Sequence, residues 1–120
     1  MLQPKVSVVI PTLGGMVLKQ TINKLNLGTL IPKEILLVIP QNLEDNLPVF
    51  KNSNIKVIKT KEQGQVQQRA YGFKKTAYNL VLQLDDDVWL NKTCLELLVK
   101  SMLSHNDKCC IAPKIINRNN

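Results

Sequence analysis

The stretch Asn79-Leu80-Val81-Leu82-Gln83-Leu84-Asp85-Asp86-Asp87-Val88-Trp89-Leu90 sets an apolar run directly against three adjacent carboxylates. Leu80, Val81, Leu82 and Leu84 are apolar on both faces and have strand length, the pattern of a strand inside a parallel sheet. Asp85, Asp86 and Asp87 then emerge at its carboxyl end. Adjacent carboxylates repel one another, and a cation or an array of donors among them relieves that cost. In an extended segment Asp85 and Asp87 point one way and Asp86 the other, so one pair can converge on Mg2+ or Mn2+. A solvated acidic loop capping the following helix is the alternative reading.

Upstream, Val6-Ser7-Val8-Val9-Ile10 is a β-branched strand closed by Pro11, which ends ladder pairing. Thr12-Leu13-Gly14-Gly15 follows as a tight turn. Val17, Leu18, Thr21, Ile22 and Leu25 then recur at helical spacing until Gly28. A glycine turn at a helix start can offer backbone N–H groups to a phosphate or ribose, but a lone Gly-Gly is a weak signal and on its own favours a plain tight turn. Glu34 to Ile39 is a second buried strand, ended by Pro40. The polar segment 41–54, interrupted by Pro48, predicts one short helical turn at most. Ile55 to Ile58 is a short third strand suited to a sheet edge.

Gln63-Gly64 opens a second helix, with Val66, Ala70, Phe73 and Ala77 on one stripe and Gln65 and Arg69 on another. This helix leads into the strand that ends at Asp85, expected to be central. Asn91 is the expected N-cap of a third helix carried by Leu95, Leu98, Val99 and Met102 to about Ser104. Cys109 to Ile111, before Ala112-Pro113, predicts a fifth strand, and 114–120 is a polar tail. The order β-α-β-β-α-β-α-β calls for an α/β fold with a mostly parallel, doubly wound, Rossmann-like sheet and right-handed crossovers. Ligands of such sheets sit at the carboxyl ends of the strands, where the strand order reverses. Pro11-Thr12, Pro40-Gln41 and Asp85 to Asp87 fall along that rim.

Composition narrows the partners. With 120 residues, 44% of them hydrophobic, the chain has length for one domain with a core and little room for a second. The formal charge is +7, but the basic residues are scattered and aromatics make up 4%, which excludes the interleaved pattern of a single-strand nucleic-acid binder. An anionic small ligand or an anionic membrane surface fits the charge. No apolar run is long enough for a signal sequence or a span, so a cytoplasmic location, including the inner face of the membrane, is expected. Cys94, Cys109 and Cys110 have no partners at metal-finger spacing and are expected to be reduced core thiols, while His105, the sole histidine, is expected at the surface.

Read together, these segments resemble the amino-terminal half of a GT-A fold glycosyltransferase of inverting family two, from about Lys5 to Ile116. The resemblance rests on Val6 to Thr12, on Gly64-x-x-x-x-Arg69-x-x-Gly72, on Leu84-Asp85-Asp86-Asp87 and on Ile111-Ala112-Pro113-Lys114-Ile115. It implies a nucleoside-diphosphate sugar as donor, with UDP the expected nucleotide, and a surface polysaccharide or glycolipid as acceptor. It further implies that Pro11, Thr12 and Leu13 line the nucleoside, that Arg69 holds the acidic motif or the sugar nucleotide, and that Asp85 and Asp86 contact ribose and sugar. Asp87, with or without Asp85, would ligate Mn2+ or Mg2+.

The chain departs from the family pattern in three places. Ile39-Pro40-Gln41-Asn42 stands where an acidic pair is usual, leaving Gln41, Asn42, Glu44 or Asp45 for base recognition. Ala70 replaces the Asn that commonly follows the helix Arg. The family's general base and acceptor pocket lie beyond the last residue, so the expectation is a donor-binding half, 1–120, whose acceptor chemistry belongs to a longer parent. An edge exposed in such a half would favour a homodimer. The competing readings are a nucleotidyl- or phosphotransferase, disfavoured because no Lys or Arg follows Gly14-Gly15 until Lys19, and a non-catalytic nucleotide-binding or receiver-like signalling module, disfavoured because the acids follow strand four rather than strand one. A degenerate fragment serving as an assembly surface is the third.

Overall fold

In a computed structural model, which describes residues 3–43, 47–61, 63–105, 109–114 and 116, the β-branched and apolar runs form the first four of the strands the pattern predicts. These are β1 (Val6–Pro11), β2 (Glu34–Pro40), β3 (Ile55–Thr60) and β4 (Leu80–Gln83), with helices α1 (Met16–Asn26), α2 (Gln65–Lys75) and α3 (Cys94–Leu103). The sheet order is β3-β2-β1-β4, and each neighbouring pair is parallel. The fold is therefore α/β and Rossmann-like, with β3 at one edge among the described residues, as its partial alternation suggests.

Strand alternation divides the core. Val6, Val8 and Ile10 of β1 and Ile35 and Leu37 of β2 pack with Leu18, Ile22 and Leu25 of α1 and Leu95 and Val99 of α3. Val9, Leu36 and Val38 face the other way and form a smaller cluster. On that second face α2 approaches so closely that a Cβ on Gly72 would stand 2.5 Å from Val9 Cγ1 and 2.9 Å from Val38 Cγ2. Only glycine permits this spacing without displacement of the helix.

Several expectations need correction. β4 pairs with β1 alone and is an edge strand among the described residues, not a central one. Its apolar run is explained by Leu80 and Leu82, which pack on the larger cluster, and by Leu84, which is buried just past its end, whereas Val81 is exposed on the α2 side. The stripe Val66, Ala70, Phe73 and Ala77 points outward, with Val66 73% exposed, and the buried positions of α2 are Gln68 and Gly72. Helical periodicity groups residues by face but does not say which face meets the sheet; here the glycine decides. Residues 109–112 form no strand: Ile111 lies in an apolar crevice with Leu80, Leu82, Leu98 and Met102, so its packing is met by side chains without a ladder. α3 begins after Thr93 rather than Asn91, with no side-chain cap bond; the Asn91 carbonyl instead accepts from the Cys94 N–H at 3.2 Å. The cysteines are free, as expected; Cys94 is half-buried and packs against the larger core cluster and Cys109 is half-buried, but Cys110 is exposed and is not a core thiol. His105 is exposed, as expected.

Candidate donor-binding rim

The order β3-β2-β1-β4 reverses direction at β1, so the crevice between the carboxyl ends of β1 and β4 is the switch point of the sheet. Two chain turns meet there. After Pro11 the backbone leaves β1, and Gly14 and Gly15 turn it at φ 91° and 110°, values that L side chains rarely adopt, before α1 begins at Met16. After Gln83 the β4 segment continues one residue through the Leu84 N–H to the Val9 carbonyl at 3.0 Å and then turns at Asp86 and Asp87.

The two turns are bonded to each other. The Thr12 hydroxyl donates to Asp86 Oδ2 at 2.7 Å and accepts the Gly14 N–H at 3.0 Å. Thr21, fully buried on α1, donates to the Asp86 backbone carbonyl at 2.6 Å. Asp86 is thus gripped by side chain and backbone together. Because residues 86 and 87 lie in a turn, the alternation of an extended strand does not apply to them, and the expected pleat that aims Asp85 and Asp87 alike is corrected. Asp86 nevertheless differs from its neighbours: it is half-buried, and Asp85 and Asp87 are exposed.

Arg69 reaches this rim from α2, with Nη2 3.7 Å from Asp85 Oδ1. With its amide turned so that oxygen faces the guanidinium, Gln83 accepts from Arg69 Nε and Nη2, each at 3.2 Å. The side chain of Arg69 is 31% exposed and that of Asp85 49%, so their attraction is solvent-screened while both remain open to a ligand. Among the described residues no three His, Cys, Asp or Glu side chains are gathered to hold a metal ion.

The remaining predicted positions spread along the same rim. Pro11 is buried as the last residue of β1, Thr12 is 3% exposed, and Leu13 is 51% exposed beside them. Gln41 and Asn42 are exposed past the end of β2, the Gln41 N–H donating to the Thr60 carbonyl at 2.6 Å. Glu44 and Asp45 lie outside the described residues. Three contributors escaped the sequence reading: Thr21, counted among the periodic residues of α1; Gln83, inside the apolar run; and Gln68, which shares a helix face with Gly72 one turn away. A glycine inside a helix marks a close approach, and the polar residue one turn from it was the available signal.

The Glycosyl transferase family 2 model matches residues 7–119. Among solved structures, S. aureus TarS 1-349 superposes with a TM-score of 0.67 at 23% identity, covering 84% of this chain and 33% of that one. The same protein in complex with UDP-GlcNAc gives 0.64 at 22% identity, covering 84% and 32%, and in complex with UDP 0.60 at 23%, again covering 84% and 32%. At these identities the likeness concerns the fold. The chain spans about a third of the length of TarS 1-349. No curated protein matches it.

Proposed function

Because the chain belongs to glycosyl transferase family 2, we propose that it forms the donor-binding part of a glycosyltransferase that takes a nucleoside-diphosphate sugar, with UDP as the nucleotide, for transfer to a polysaccharide or glycolipid acceptor. The observation that carries this reading is the Thr12–Asp86 bond across the switch point, which leaves Asp85, Asp87 and Arg69 accessible around it. The UDP-GlcNAc and UDP complexes of TarS, a protein of the same fold, support the choice of nucleotide.

The roles divide by chemistry. Leu13, exposed beside buried Pro11, offers an apolar wall to the nucleoside, and Gln41 an amide to the base. Arg69 places a planar cation next to Asp85, where it can turn to a diphosphate oxygen without leaving the rim. Asp86, already committed to Thr12 through one oxygen, keeps the other for a ribose or sugar hydroxyl. The residues fit a hard divalent ion, Mn2+ or Mg2+: Asp85 and Asp87 are exposed carboxylates, and such ions take few protein ligands when phosphate and water complete the shell. Held by Asp85 and Asp87, such an ion would supply Lewis-acid stabilisation to a departing nucleoside diphosphate. Among the described residues the other carboxylates, Glu34 and Glu96, are bonded elsewhere in the fold and stand apart from this rim.

Trp89, two residues from Asp87, reports on the rim. Its fluorescence, titrated with UDP and Mn2+ separately and together, is expected to show saturable UDP binding that requires Mn2+ and is reduced at least about tenfold in Asp87→Ala. UDP binding that is indifferent to Mn2+ and to Asp87→Ala would defeat the metal assignment. Absence of UDP binding by the folded chain and by the whole protein alike would defeat the donor assignment.

A further inference from the structure

Gln68 sits in the first turn of α2 with 2% of its surface exposed. Every amide proton it has is used: Nε2 donates to the Val38 carbonyl at 2.7 Å and to the Thr12 carbonyl at 3.1 Å. Its Oε1 accepts the Gly64 N–H at 3.1 Å, closing the start of the same helix. The Val38 carbonyl also receives the Thr12 N–H at 3.0 Å. Burying an amide is costly unless it is bonded, and a fully bonded one permits a single geometry.

The place of these bonds matters. Thr12 is held by its carbonyl from α2, by its N–H from β2 and by its hydroxyl against the β4 turn. If the carbonyl grip is released, the hydroxyl that orients Asp86 shifts with the backbone that bears it. Arg69, the next residue of α2, faces the other side of the same rim at Gln83 and Asp85. We infer that Gln68 is a positioning residue of the donor site: it fixes Thr12, so that the Thr12 hydroxyl sets the Asp86 carboxylate and leaves Asp85 and Asp87 to the ligand. The inference rests on the donor-binding reading above.

The test compares Gln68→Met, which keeps length and volume but cannot donate, with Glu34→Gln, which disturbs a buried network at the opposite end of the sheet. The first readout needs no ligand. The Thr12 hydroxyl proton, observed by NMR, is expected to exchange roughly tenfold or more faster in Gln68→Met and to be unchanged in Glu34→Gln. The second readout is UDP with Mn2+, followed by Trp89 fluorescence well below the melting temperature of either variant. Binding is expected to weaken about tenfold in Gln68→Met and to stay at the wild-type value in Glu34→Gln.

An unchanged Thr12 proton in Gln68→Met, unchanged UDP binding where the wild type binds, or equal losses in both variants would overturn the inference, since a merely structural glutamine would do no more. If neither the wild-type chain nor the whole protein binds UDP, the donor reading fails, and the Thr12 proton alone decides whether Gln68 holds that residue. Should Gln68→Met not fold, the wild-type Gln68 side-chain amide protons serve instead. They are expected to exchange more slowly once UDP and Mg2+ are added, and unchanged exchange in a saturated complex would overturn the proposal.

Discussion

At the scale of single residues, the rim sets a carboxylate held within the fold beside partly exposed charges. Asp86 is held by Thr12 and Thr21, whereas Arg69 and Asp85 face each other at 3.7 Å, both partly exposed, with Gln83 bonded to the guanidinium. Such a screened pair contributes on the order of 0–1 kcal/mol to stability. Arg69→Ala is therefore expected to leave the melting temperature nearly unchanged while weakening UDP binding about tenfold, and Arg69→Lys to recover only part of it, because an ammonium lacks the bidentate fork. Calorimetry and Trp89 fluorescence on the same samples separate the two effects; a large fall in melting temperature with unaltered binding would make Arg69 a structural residue. Asp85 to Asp87 and Arg69 were legible because their residue types stand out in sequence. Thr21 was not, because a threonine inside a helical pattern carries no mark of whether it faces solvent or a strand end, and Gln68 was missed although Gly72, one turn away, marks the helix face that meets the sheet.

At the scale of elements, α2 shows where pattern reading reaches its limit. Its extent followed from the sequence, bounded by Gly64 and the approach to β4, but its orientation was inverted: Val66 and Phe73 are exposed, and Gln68 and Gly72 meet the sheet. The hydrophobic stripe misleads because the buried face is made by absence of a side chain and by one bonded amide rather than by apolar bulk. Gly72→Ala tests this directly. Helix propensity favours alanine by about 1 kcal/mol, yet the new methyl would collide with Val9 and Val38, which are packed in the sheet and fully buried. Overpacking of this kind costs about 1–3 kcal/mol, so the net expectation is destabilisation together with weaker UDP binding, since Gln68 and Arg69 ride on the displaced helix. A Gly72→Ala variant as stable as wild type would show that α2 can withdraw freely. The strand that failed to appear at 109–111 teaches the converse: Ile111 finds its apolar environment beside β4 and α3 without a ladder, which alternation alone could not reveal.

At the scale of the whole molecule, the sheet carries the proposed donor rim at one end and a buried polar network at the other, and the second is organised by Glu34. This residue, 2% exposed at the start of β2, accepts from the Ser7 hydroxyl at 2.6 Å, the Ala77 N–H at 2.7 Å and Lys56 Nζ at 3.1 Å. It thereby joins β1, β2, β3 and the segment after α2 at the end opposite the rim. Burial acts to raise its pKa, but the Ala77 N–H, the Ser7 hydroxyl and the Lys56 ammonium together outweigh burial and hold it below the ordinary 4.5. A carboxylate with a depressed folded-state pKa stabilises the fold fully above its unfolded value, and this contribution is lost as the pH falls through the folded value. The melting temperature of the wild type is thus expected to decline as the pH drops below 4.5. Glu34→Gln is expected to lose about 1–3 kcal/mol at neutral pH and to show a shallower decline in acid, because the group that titrates is gone. Thermal melts of both proteins across that range decide the matter: parallel declines would mean that other carboxylates govern acid stability and that Glu34 serves by shape alone. Since the network touches neither Thr12 nor Asp86, the variant should bind UDP with Mn2+ at neutral pH as the wild type does, which would show that the two ends of the sheet are energetically independent.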